Sequence, residues 1–189
     1  MINSNLNLGV YSSIMVFLFG LLLSNTYAIP LNANTIPSNG DILVSNICPQ
    51  TSNPSFCASI LESANNIDLK ALIAYGLNLA HTNAGKSMTL AKALAVLTTN
   101  PRLKKQYLSC FENYDEAMCD IEKAKSDLAF GDYNGVNLAI SDAMMIADDC
   151  HDNFEQSLKD MSLLPNNTRT LKDIYSIILV ISSILPRNI

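Results

Sequence analysis

Between residues 103 and 128 apolar side chains recur at alternating steps of four and three: Leu103, Tyr107, Cys110, Tyr114, Ala117, Ile121, Ala124 and Leu128. That spacing is the stripe of a helix with one buried seam. A second stripe, Val136, Ile140, Ala143, Ala147, Cys150 and Phe154, follows a break at Gly131-Asp132. Gly131 stands where a helix C-terminus needs a residue tolerant of positive φ, and Asp132 is placed to cap the next helix. The pattern predicts two helices hinged at Gly131-Asp132, with a cysteine on each inward stripe.

If the two arms fold back antiparallel, residues equidistant from the hinge share a height. Cys110 and Cys150 each lie roughly 30 Å from it at 1.5 Å rise per residue. Pairing Cys119 with Cys150 would instead mismatch the heights by roughly 13 Å, beyond the ~7 Å Cα separation a disulfide tolerates. The expected bond is therefore Cys110–Cys150, with Cys119 on the outer face as the free thiol.

Asp68 is expected to cap a long helix to about Thr98, its inward side formed by Leu69, Ile73, Leu79 or Ala80, Asn83, Leu90, Leu94 and Leu97. Gly76 and Gly85 weaken it, each by about 1 kcal/mol against alanine, so close packing or a kink is expected there. Asn100-Pro101 stops this helix and starts the next. Residues 163–169 are expected to form a loop carrying the glycosylation sequon Asn166-Asn167-Thr168. A last helix is expected from Leu171 to Leu185, striped by Leu171, Ile174, Ile178, Ile181 and Leu185 and stopped by Pro186. Its apolar run is too short for a bilayer, which needs about 20 residues.

Upstream, Asp41 is expected to cap a short helix over residues 42–48, ended by Pro49. Asn53-Pro54 then restarts a helix, with an N-cap followed by proline. Cys48 and Cys57 stand on the two arms of this hairpin and are expected to pair. Four long helices with short links predict an all-α fold, an antiparallel up-down-up-down four-helix bundle preceded by a helical hairpin. The division is hairpin over 41–66 and bundle over 67–189, within one domain from 41 to 189.

The chain has 189 residues and a formal net charge of −5. Residues 1–28 carry no charge, and an apolar run over 14–23 followed by small residues before Ile29 reads as a signal peptide. An N-terminal membrane anchor is the alternative reading of that run. Residues 29–40, rich in Pro, Asn and Ser, are expected to be a flexible lead-in. A secreted destination suits disulfides, and five cysteines leave one over. The acidic balance disfavours nucleic acid and anionic membrane and favours a basic protein partner.

No glycine-rich phosphate loop, no Gly-x-Ser-x-Gly and no paired Glu-x-x-His motif occurs. Asp148 and His151 share one helical face, yet His81 offers them no second metal-binding pair. The sequence predicts a non-catalytic protein without cofactor or metal. A distinctive feature lies on the outer side of the first arm, where Glu112 and Glu116 are one turn apart. Asp132 at the hinge and Asp152 past the second cysteine add to the acidity. A small secreted carrier of an apolar ligand, with room left by Gly76, Gly85 and the alanine-rich seam, is the rival of a different class.

Cys48-Pro49, Asn53-Pro54-Ser55-Phe56-Cys57, Cys110-x-x-x-Tyr114, Gly131-Asp132-Tyr133-Asn134 and Cys150-x-Asp152-x-Phe154 together resemble the plant invertase/pectin methylesterase inhibitor family. The resemblance covers residues 41–186. Invertase inhibitors carry Gly-Asp-Pro-Lys-Phe at the hinge, whereas Gly131-Asp132-Tyr133-Asn134 with Glu112-Asn113-Tyr114 is similar to the esterase-inhibiting branch. The resemblance implies a four-helix bundle that binds pectin methylesterase one to one, covers its pectin groove, and acts in the apoplast as a free inhibitor; inhibition of invertase is the alternative. It further implies contact through Glu112, Glu116, Asp132, Tyr133, Asp149 and Asp152. Two departures stand out: Cys119 where a carboxylate would fit, and Asp149 where a threonine is common.

Overall fold

Side-chain caps set the helix starts. In the computed structural model, which describes residues 39–63, 68–155 and 162–185, the Asp68 carboxylate accepts from the Ala71 N–H at 2.7 Å. Asn100 accepts from the N–H groups of Arg102 and Leu103 ahead of Pro101, and Asn53 accepts from Phe56 ahead of Pro54. The resulting helices are α1 (Asn39–Ile47), α2 (Pro54–Ser63), α3 (Leu69–Leu97), α4 (Pro101–Phe130), α5 (Tyr133–Glu155) and α6 (Leu164–Ile184). A single 3-10 turn, Cys48–Gln50, follows α1. Among the described residues no strand occurs. The expected signal peptide and most of the lead-in lie outside the described residues.

Helices α3 to α6 form the bundle, each packed on its sequence neighbour and α6 closing the ring against α3. The seam of α4 is as expected, with Tyr107, Cys110, Tyr114, Ala117, Ile121, Ala124 and Leu128 buried. Opposite it, Val136, Ile140, Ala143, Ala147 and Cys150 are fully buried. Gly131 ends α4 at φ 76°, with its N–H and that of Asp132 returning to the carbonyls of Leu128 and Asp127. Asp132 then accepts from the Gly135 N–H at 2.9 Å, capping α5.

Both disulfides form as expected, Cys48–Cys57 and Cys110–Cys150, and Cys119 is free and exposed. The bonds span sequence separations of 9 and 40. Loop closure makes the first worth about 3 kcal/mol and the second about 4 kcal/mol, so the longer link between α4 and α5 contributes more.

Three expectations need correction. Helix α1 begins at Asn39, so Asp41 lies inside its first turn and does not cap it. The stretch 163–169 is not a loop: α6 starts at Leu164, because Ser162 accepts from the Leu164 N–H and Pro165 preorganises the first turn. The inward face of α3 is also rotated from the stripe of large residues. Ile73, Leu77, Ala80, Ala84, Ser87, Ala91 and Ala95 are buried, while Leu97 is 77% exposed. Small residues occupy the seam because they let helix axes approach closely.

Close approach also leaves little room for a ligand beside Gly76. A Cβ on Gly76 would lie 2.8 Å from Cγ1 of Ile178. The apolar cavity beside it, lined by Leu61, Leu72, Gly76 and Ile177 among others, holds about 10 Å³, less than one water needs.

Candidate functional site

The antiparallel arms α4 and α5 carry the acidic side chains, and their register is fixed by more than the disulfide. Asn113 Nδ2 donates to the Ile146 carbonyl at 3.3 Å, pinning the helices one turn from Cys110–Cys150. This places Glu112 and Glu116 of α4 at the heights of residues 144–149 of α5. Glu112, Glu116, Asp149 and Asp152 are all exposed. With them stands Met145, 65% exposed on the outer side of α5.

Asp120 and Asp142 belong to the same groove, and the sequence reading missed them. They lie eleven residues before and after Gly131, so the height rule that paired the cysteines would have paired them too. Burial raises the Asp120 carboxyl above its ordinary range, and the charges of Asp142 and Glu116 add to that. Lys123 pulls weakly the other way. The groove thus concentrates negative charge, with a carboxylate already strained toward protonation and an apolar methionine at its edge.

Asp132 and Tyr133 are not part of this cluster. The hinge is roughly 30 Å from Glu112 along α4, and the Asp132 carboxylate is engaged as the α5 cap. A Cβ on Gly135 beside it would meet Asp127 Oδ2 at 2.7 Å and Asp132 Oδ2 at 2.8 Å, so these carboxylates would have to shift to admit a side chain. Cys119 is exposed one turn from Glu116.

Asn166 is exposed in the first turn of α6, and Thr168 is buried. Asp148 forms an ion pair with Lys172 of α6. Among the described residues no group of three or more His, Cys, Asp or Glu is arranged to hold a metal. No helix among them is long and apolar enough to cross a membrane.

The family model "Plant invertase/pectin methylesterase inhibitor" matches residues 42–181. The chain belongs to the plant invertase/pectin methylesterase inhibitor family. It is 35% identical to the pectinesterase inhibitor of Actinidia deliciosa over 93% of this chain and 96% of that one. It is likewise 35% identical to pectinesterase inhibitor 1 of Arabidopsis thaliana over 98% of this chain and 99% of the other. A solved structure of a mutant form of a pectin methylesterase inhibitor from Arabidopsis superposes with a TM-score of 0.74 at 35% identity, covering 77% of this chain and 99% of its own. In this family member the bundle presents the acidic groove of α4 and α5, and the N-terminal hairpin docks away from it on α6. There Ser52 and Asn53 donate to the two carboxylate oxygens of Asp173, each at 2.9 Å.

Proposed function

We propose that this protein is a secreted, non-catalytic inhibitor of pectin methylesterase, acting in the cell wall by binding the enzyme one to one and covering its pectin-binding cleft. The observation that carries this reading is family membership over residues 42–181, with named relatives that are pectinesterase inhibitors matched along nearly their whole length. The docking face is the α4–α5 groove, where Glu112, Glu116, Asp149 and Asp152 form an exposed acidic rim around Met145. Asp132 and Tyr133 contact the far end of the same cleft, because two helices laid lengthwise reach about 30 Å. The mechanism is occlusion. Desolvated carboxylates and an apolar anchor supply affinity, and the exposed Cys119 plays no covalent part.

The hinge Gly131-Asp132-Tyr133-Asn134 lacks the proline, lysine and phenylalanine of the invertase-inhibiting form, which directs the reading to the esterase. Purified protein titrated against a pectin methylesterase and against an acid invertase tests it. Stoichiometric loss of esterase activity with intact invertase activity is the expected result. Inhibition of invertase alone would overturn it.

A further inference from the structure

A cavity of about 310 Å³ opens where the turn of the N-terminal hairpin meets α5 and α6, lined by Ser52, Asn53, His151, Arg169, Lys172 and Asp173. Its size falls at the lower end of small-ligand clefts, roughly 300 Å³ upward. Although the chain is acidic overall, two cations reach this cavity from one helix. Its own carboxylate, Asp173, is already engaged, with one oxygen accepting from Ser52 and the other from Asn53 of the hairpin. Lys172 gives one ammonium hydrogen to Asp148 and keeps two donors. Arg169 contacts a neutral group, the Asn166 side-chain oxygen at 3.3 Å, leaving most of its planar fork available.

An arginine fork beside a lysine is the donor arrangement that recognises an oxyanion, and the Ser52 hydroxyl, which donates to Asp173, retains acceptor capacity for a sugar hydroxyl. We propose that this cavity binds the carboxylate of an acidic saccharide, with Arg169 and Lys172 as its principal contacts, and that de-esterified pectin is the source. This rests on the reading of the protein as an inhibitor of pectin methylesterase, whose product bears such carboxylates while its substrate bears neutral esters. Lys172, Asp148 and His151 lie on the α6 side of α5, and the acidic groove lies on its α4 side. Both sites can therefore be filled together, and the inhibitor would be retained on stretches of pectin where the esterase has already acted.

The test uses the full secreted chain, with calorimetry and amide chemical-shift mapping against trigalacturonate, its fully methyl-esterified form and inorganic phosphate. Trigalacturonate is expected to shift resonances at Ser52, Arg169 and Lys172, and the ester to leave them unmoved. Arg169→Gln should weaken binding about tenfold, as loss of one charged hydrogen-bond donor implies, and Arg169→Lys should restore part of it. Equal binding of the ester, or unchanged affinity in Arg169→Gln, would overturn the proposal. Phosphate moving these resonances while trigalacturonate does not would overturn the saccharide assignment. Esterase inhibition measured on a small soluble ester separates the two readings. Arg169→Gln should inhibit as the wild type does, whereas a wild type that binds trigalacturonate without inhibiting would sink the functional reading alone.

Discussion

Tyr114 donates its phenolic hydrogen to Thr168, tying the centre of α4 to the second turn of α6 in the buried core. The direction follows from Thr168, whose own hydrogen goes to the Leu164 carbonyl at 3.0 Å. Burial, the larger effect, raises the Tyr114 hydroxyl above its ordinary range, with the bond to Thr168 opposing it. Thr168→Val would leave a buried phenol without this acceptor and is expected to cost about 1–3 kcal/mol. Tyr114→Phe leaves Thr168 bonded to Leu164 and should cost less, about 1 kcal/mol. Urea unfolding of both variants checks the order, and a smaller loss in Thr168→Val would refute the direction of donation.

The same residue shows where sequence reading stops. Thr168 was legible as the third position of a sequon and so as surface, whereas its hydroxyl satisfies core groups on two helices. Periodicity gave α4, α5 and the disulfide, since long amphipathic stripes and a positive-φ glycine leave little freedom. It failed on α3, where alanine and serine, not leucine, face the core, because helix approach distance and not side-chain size decides what is buried. Asp120 and Asp142 were within reach of the height rule but carried no apolar signal to draw attention. The cavity at Arg169 depends on how the hairpin sits on α6, which no local pattern encodes.

Gly76 and Gly85 should respond oppositely to alanine. At Gly76 the new methyl would press on Ile178, a contact of 2.8 Å, and overpacking of that kind costs about 1–3 kcal/mol. At Gly85 the nearest atom is Met118 Sδ at 3.8 Å, so the helix-propensity gain of up to about 1 kcal/mol is realised. Thermal unfolding should show Gly76→Ala below and Gly85→Ala above wild type.

Tyr175 is fully buried, and its hydroxyl has no hydrogen-bond partner among the described residues. Burial raises the pKa of its hydroxyl above the ordinary tyrosine range. Removing an unsatisfied hydroxyl returns part of its desolvation penalty, so Tyr175→Phe should be neutral or stabilise by about 1 kcal/mol. A clear loss of stability would reveal a partner, such as an enclosed water.

Asp120 links the acidic groove to pH. Its carboxyl titrates above the usual 3.8 in the folded protein, chiefly through burial and then through Asp142 and Glu116. A raised acid binds more protons folded than unfolded, so this group favours the fold below its unfolded value and that contribution is lost as pH rises through the folded one. Asp120→Asn should flatten the decline of stability over the pH range just above 3.8 and stabilise the protein at neutral pH. Unfolding midpoints measured from pH 4 to 7 decide this. An unchanged slope in the variant would assign the pH dependence to other groups.

Cys119 provides a probe of the docking face that needs no assumption about which carboxylate matters. It is exposed on α4, one turn from Glu116 and two from Glu112, so a group attached there projects over the same surface. Serine at this position preserves the local size and polarity, and Cys119→Ser should inhibit the esterase as strongly as wild type. A bulky maleimide on the native thiol, by contrast, would hold the helices away from a cleft that must be closely packed to exclude pectin, and inhibition should fall at least tenfold, about 1.4 kcal/mol of binding. The same maleimide on a cysteine introduced at exposed Leu97, in the Cys119→Ser background, controls for bulk alone and should leave inhibition intact. Full inhibition by the Cys119-labelled protein would exclude the α4–α5 groove as the docking face, since no contact within a turn of Cys119 could survive the label.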